Sequence, residues 1–249
     1  MSGLVAEGPG FFGKVRTHGD FVTRRLPSEF ITPWDACLQQ GMLFAQRWFD
    51  AQWLPVYLNA PIWCFALGAD VCGESAWAGV LMPGVDRVGR HFPFTLAAPL
   101  ARDDTANWLG GAQAWYDEAM RRALSTLDAD FVLERFDAQL DAWGPLTTPA
   151  QTPAPAWRLY PVGEEGHEAN ETEQAAGAPD RFSALLALYV AAGSGAWWTE
   201  GSSAVPASLL AGTGLPDGER FVGLLDKARS GWRSVVELRL REPLEGPKR

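Results

Sequence analysis

Apolar positions along the chain follow two periods. From Thr32-Pro33-Trp34-Asp35 onward, Trp34, Leu38, Ala45, Trp48/Phe49 and Trp53 recur at helical spacing. Thr32 supplies a cap, Pro33 a first helical position and Asp35 an acid in the first turn, so the pattern predicts an amphipathic helix of about 20 residues. Asp103–Leu127, capped by Asp103 or Thr105, repeats the period through Trp108, Ala112, Trp115, Ala119 and Ala123. Asp130–Ala142 does so through Phe131, Leu133, Phe136 and Leu140. Arg181–Ala192 and Pro216–Leu225 also read as helices.

Short apolar runs lie between these segments. Pro9–Val15 reads as a glycine-bounded edge strand, followed by a turn through His18-Gly19-Asp20. Pro61–Leu67, Ser75–Met82 and His91–Leu100 read as three strands, with Pro93 placing the third at an edge or bulge. The connections are too short for helical crossovers, so these three form an antiparallel meander. Trp157–Tyr160 and Ala196–Gly201 read as further strands, Leu209–Gly214 as a short apolar segment, and Val235–Leu240 as a last strand or helix. The fold class expected is α/β of the α+β kind: an antiparallel meander flanked by helices, with a smaller C-terminal portion. The domains expected are a main unit over 1–143, a Pro- and Glu-rich linker or insertion over 144–180, and a C-terminal portion over 181–249.

Charge changes the picture in one place. The formal net charge is −9 over 249 residues, but six of the 30 acids (Glu164, Glu165, Glu168, Glu171, Glu173 and Asp180) lie in one stretch without a basic residue. Setting them aside leaves 24 acids against 21 bases, a balance of −3. A near-neutral body without a basic face excludes binding to nucleic acid through counterion release. No run of 18 apolar residues is present to insert into a membrane, and the first residues, Met-Ser-Gly-Leu-Val-Ala-Glu, lack a signal-peptide pattern. Cys37, Cys64 and Cys72 are odd in number, lack CxxC spacing and sit among apolar residues, as buried free thiols do in a reducing compartment. The expected location is cytoplasmic.

Candidate chemistry is sparse. Gly8 to Lys14 matches GxxxxGK, but Val15 stands where a nucleotide-binding loop needs the hydroxyl that holds magnesium, and Phe11 and Phe12 would crowd a phosphate. The alternative is a strand packing both rings inward. His18, His91 and His167 are scattered, without HxxxH, HExxH or CxxC spacing, so no metal and no cofactor is expected. His18 near Asp20, or His91 near Asp86, could form an acid–base pair, and the second could serve a hydrolase. The turn Asp86-Arg87-Val88-Gly89-Arg90 is a stronger candidate for recognition, because guanidinium groups on a turn present planar donors outward. Alternatively, Asp86 closes the turn internally on Arg87 or Arg90. On a strand, Trp197 and Trp198 point to opposite faces, so one of them could enter the core and the other meet a partner. Asp86, Arg87, Arg90, Trp197 and Trp198 are therefore the candidate partner-binding residues, with no catalytic set.

The blocks PGFFGKVRTHGDFV, Pro33-Trp34-Asp35, APIWCFAL, CGESAWAGVLMPGVDRVGRHFPFTLA, and then AWWTEGS with GTGLP occur in that order. In this the chain resembles the TagF family, also known as ImpM, of type VI secretion-associated proteins, over Pro9–Leu100 and again over Phe182–Phe221. The resemblance implies a cytosolic, non-enzymatic accessory protein of a bacterial secretion machine that represses it after translation. It implies as partner the scaffold protein carrying a forkhead-associated domain, with no small-molecule substrate. It also implies a longin-like or profilin-like fold portion, and it brings no catalytic residue to carry over. A structural subunit of the apparatus, or an enzyme using His91 and Asp86, are the alternatives.

Overall fold

Alternation along the strands sorts the apolar side chains into two cores, one on each face of a single antiparallel sheet. The computed structural model describes residues 8–100, 105–146, 157–162, 181–227 and 231–240. Their strands are β1 (Gly10–Gly13), β2 (Val22–Arg24), β3 (Trp63–Leu67), β4 (Ala76–Met82), β5 (Phe94–Leu100), β6 (Leu159–Pro161), β7 (Ser194–Thr199), β8 (Ser208–Thr213) and β9 (Ser234–Leu240). They hydrogen-bond in the order β2-β1-β5-β4-β3-β7-β8-β9-β6, every pair antiparallel. The meander is present as β3-β4-β5, and the sheet is α+β as expected. Direct pairing of β3 with β7, Phe65 opposite Trp197, carries the sheet on into the C-terminal strands.

On one face lie α1 (Ser28–Phe49), α2 (Trp53–Leu58) and α7 (Gly218–Leu225). Their core takes Phe30, Trp34, Leu38 and Met42 of α1, Phe221 and Leu224 of α7, and Trp63, Phe65, Leu67, Trp77, Leu81 and Trp197 of the sheet. On the other face lie α3 (Thr105–Gly110), α4 (Gln113–Ser125), α5 (Leu133–Trp143) and α6 (Arg181–Tyr189). That core takes Trp108, Tyr116, Phe136, Leu140 and Phe182 of the helices, and Cys64, Ala66, Val80, Phe94, Leu96 and Trp198 of the sheet. Consecutive strand residues thus enter opposite cores, the signature of a sheet covered on both sides.

Buried indoles need a partner for their N–H. Trp34 donates to Thr95 Oγ1 at 2.9 Å, Trp63 to the Leu224 carbonyl at 2.7 Å and Trp77 to the Cys72 carbonyl at 2.9 Å. The first two bonds tie helix to sheet at fixed points and the third ties the β3–β4 loop to β4, as hydrophobic burial alone does not. Gly41 lets α1 and α7 approach, since a Cβ there would lie 2.4 Å from the Phe221 ring.

Several expectations need correction. β1 is not an edge strand, because β2 and β5 flank it. β2 escaped notice because it has three residues and only Val22 is buried. β5 is interior, paired with β1 and β4, and Pro93 stands just before it. The first long helix begins at Ser28, because Phe30 extends the buried stripe one turn upstream of Trp34, and Pro33 is accommodated inside it. It ends at Phe49, a 3₁₀ turn over Asp50–Gln52 following, and α2 begins at Trp53. The predicted helix 103–127 is two helices, broken after Gly110. Asp103, His167 and the acidic stretch after Gly163 lie outside the described residues. Val235–Leu240 is a strand.

Candidate functional site

The Asp86–Arg90 turn joins β4 to β5 and is fixed from below. Asp86 N–H donates to the Arg90 carbonyl at 2.9 Å, and Gly89 N–H to the Asp86 carbonyl at 3.0 Å. The Asp86 side chain is wholly inaccessible to solvent, and four donors converge on its carboxylate. Lys14 Nζ approaches one oxygen at 2.5 Å and Arg90 Nε the same oxygen at 2.7 Å. The backbone N–H groups of Val88 and Arg90 donate to the other, at 3.0 and 2.9 Å. Burial works against the charge, but the bonds from Lys14, Arg90 and Val88 outweigh it and hold this carboxyl well below the usual carboxylate range. The internal closure of the turn is therefore made by Arg90 and, from a distant strand end, by Lys14.

Two further clamps reach the same turn. The Tyr57 hydroxyl donates to the Gly84 carbonyl at 3.0 Å and accepts from Gly84 N–H at 2.9 Å, holding the foot of the turn to α2. Burial pushes the Tyr57 phenol up, although its bond to Gly84 opposes the shift, so it stays neutral. On the other side the loop after β1 is stitched to the tip: Arg87 N–H donates to the His18 carbonyl at 2.9 Å, and the Arg90 guanidinium to the Gly19 carbonyl. Lys14 also lies 4.7 Å from the centre of the Phe21 ring.

Above this anchor the tip is open. Arg87 is exposed, Val88 is 66% exposed, and Arg16 is exposed on the neighbouring turn. Among the described residues no hydrogen bond or ion pair engages the side chain of Arg87 or Arg16. Arg90 is divided between the two levels: its guanidinium grips Asp86, yet its side chain is 58% exposed.

The remaining candidates fall elsewhere. Trp197 and Trp198 do point to opposite faces, but both faces are core and each ring is only 1% exposed. Trp197 stacks on Trp34 at 5.7 Å, and Trp198 meets Tyr116 edge-on at 4.7 Å. They are not brought to the turn and present no surface. His91 pairs with Val85 in a β-bridge and sets its ring edge-on to Tyr57 at 5.7 Å. It is not among the groups bonded to the Asp86 carboxylate, whose oxygens are already engaged. His18 Nδ1 lies 3.0 Å from Thr17 Oγ1. Among the described residues no group of three His, Cys, Asp or Glu side chains could hold a metal ion.

Lys14 is consumed by Asp86, so the GxxxxGK segment has no free lysine for a phosphate. Its Gly13 is set by the fold: φ is +137°, and a Cβ would lie 2.2 Å from the Pro93 carbonyl oxygen. Phe11 and Phe12 enter the two opposite cores. The three cysteines are free and buried, and burial pushes Cys37 and Cys72 up to about 12, so they remain thiols. A polar cleft of about 370 Å³ opens between β2 and α5, where Arg24 and Arg25 are both paired with Asp137.

Sequence reasoning missed Lys14 as the partner of Asp86, for the two are 72 positions apart. It also missed Arg16, which is marked only by sitting in a turn. Among the described tryptophans only Trp48 is exposed, at 57%, on a helix whose period had placed it inward.

The chain matches the family model described as TagF N-terminal domain, Type VI secretion system-associated, over residues 10–143, which spans the whole turn and its anchor. It is similar to the crystal structure of PA0076 from Pseudomonas aeruginosa PAO1, at 35% identity and a TM-score of 0.67, covering 88% of this chain and 94% of that one. No curated protein matches it. Among the described residues no helix is long and apolar enough to cross a membrane.

Proposed function

The chain belongs to the TagF family of type VI secretion-associated proteins, and we propose that it is a cytoplasmic, non-enzymatic negative regulator of that secretion system. It acts after translation by binding the scaffold protein that carries a forkhead-associated domain. The observation that carries this reading is the turn itself. Its backbone is held rigidly by a buried carboxylate, while among the described residues the guanidinium groups of Arg87 and Arg16 have no hydrogen-bond or ion-pair partner. A preorganised loop with free planar donors is suited to recognition, since little ordering entropy is lost on docking. The described histidines and thiols, by contrast, are engaged, separated or buried. Of the partner-binding candidates, Arg87 and Arg90 serve this contact with Asp86 beneath them, and Trp197 and Trp198 serve the fold.

The test is deletion of the gene in its native bacterium, with secretion measured in the presence and absence of the upstream phosphorylation signal. Repression predicts that secretion rises and no longer depends on that signal; unchanged secretion rejects it. Capture of the scaffold by the purified protein tests the mechanism. Stoichiometric recovery of the protein with assembled apparatus would indicate a structural subunit instead.

A further inference from the structure

We infer that the exposed Arg87 and Val88 of this turn, with Arg16 on the turn stitched to it, form a docking surface for an acidic segment of a protein partner, with carboxylates beside an apolar side chain. Lys14, Asp86 and Arg90 are the positioning residues beneath it. This deepens, and rests on, the reading of the chain as a binding regulator.

Three observations carry the inference. The first is the cost of the anchor. A turn between antiparallel strands can be closed by turn residues alone. Here a lysine and an aspartate are both taken out of water, at side-chain exposures of 7% and 0%, and such a pair contributes little net stability. What it does supply is geometry, because Asp86 binds the Val88 and Arg90 N–H groups on either side of the tip. The second is the availability of donors. Among the described residues nothing engages the guanidinium groups of Arg87 and Arg16, and guanidinium forks match carboxylates in shape. Arg87 reaches back over the neighbouring loop, with its Nη2 3.8 Å from where a Gly19 Cβ would stand. The third is charge. The chain carries −9, yet at this corner Lys14, Arg16, Arg87 and Arg90 outnumber Asp86 and the exposed Asp20. Against a body that is near neutral apart from its one acidic stretch, this local excess of positive charge steers an acidic partner to this point. Val88, at 66% exposure, gives that partner one apolar contact beside Arg87.

The test uses the full chain and fluorescence anisotropy of a labelled peptide, Glu-Glu-Leu-Glu-Glu, with Gln-Gln-Leu-Gln-Gln as the neutral control. The acidic peptide should bind and the neutral one should not. Arg87→Glu and Arg16→Glu should each weaken binding about tenfold or more with an unchanged melting temperature, and Arg87→Ala should give a smaller loss in the same direction. Binding should also weaken as salt rises from about 0.05 to about 0.5 M. Equal binding of the two peptides, no binding of either, equal binding by Arg87→Glu, or preference for single-stranded RNA or anionic vesicles over the acidic peptide would each overturn the inference. A parallel capture of the forkhead-associated scaffold separates the two readings. Capture by both wild type and Arg87→Glu would overturn this inference while the regulator stands. Peptide binding lost in Arg87→Glu, with no scaffold captured by either, would support it and remove the scaffold.

Discussion

The Trp197-Trp198 pair and the Asp86–Arg90 turn are both flagged by the sequence as candidates for contact, and both lie in the blocks that carry the family resemblance. In the folded chain they are opposites. The tryptophans occupy the middle of the sheet, one in each core, and each ring is only 1% exposed. The turn buries one carboxylate and leaves its tip in water. Distinctive residues therefore divide by where the pleat puts them: a strand covered on both faces turns every side chain into packing, whereas a turn anchored at one residue can free its neighbours. The second arrangement separates the residue that holds the loop, Asp86, from the one left exposed at its tip, Arg87.

That contrast can be broken by mutation, beginning at the core. Trp198→Ala should destabilise the protein by about 3–5 kcal/mol in urea denaturation, because it removes a ring packed among Tyr116, Trp157 and Phe182. A loss below about 1 kcal/mol would mean that the ring is not core. Asp86→Asn comes next. It leaves Lys14 buried without its counter-charge, and the thermal midpoint should fall by several degrees at neutral pH. The gap between wild type and this variant should depend on pH. The carboxyl lies below its ordinary value in the folded chain, so it stays ionised where the unfolded chain, near its usual value of about 3.9, takes up a proton. Its contribution is thus complete above about pH 5 and is lost as pH falls from there through the folded value. The two melting curves should converge in acid; a gap constant down to about pH 3 would contradict the anchor.

Smaller effects sharpen the division at the tip. Arg90→Ala should cost less than Asp86→Asn, about 1 kcal/mol or below, because its ion pair is half exposed while Lys14 remains in place. Arg87→Ala should leave stability within about 0.5 kcal/mol of wild type, since its side chain is exposed and has no partner among the described residues. A destabilisation by Arg87→Ala equal to that of Asp86→Asn would erase the distinction between anchor and tip.

What the sequence revealed depended on the range of the signal. The β3-β4-β5 meander was legible because each strand is a continuous apolar run, buried on both faces, and the runs are joined by short turns. The opposite facing of Trp197 and Trp198 followed from strand geometry, but whether the second face met water or helices depended on α3, α4 and α6, which no local pattern places there. The turn was legible as a turn, and its internal closure by Arg90 was one of two readings left open. The deeper half of the anchor was not legible, since Lys14 and Asp86 meet only because β1 pairs with β5. The glycines around Lys14 invited comparison with a phosphate loop, whereas Gly13 is required by the Pro93 carbonyl. Trp48 was misplaced for a related reason: its helix follows the apolar period, but the sheet and α7 cover only part of the stripe.

The tip is held by the carboxylate beneath it. Amide hydrogen exchange of the native protein measures this directly, at the N–H groups of Asp86, Val88 and Arg90, all bonded within the turn. These amides should exchange slowly in the wild type and in Arg87→Ala, and far faster in Asp86→Asn, with the amides of β4 protected in all three. Rapid exchange at these three positions in the wild type, or protection unchanged by Asp86→Asn, would contradict the claim that a buried ion pair fixes the turn for recognition.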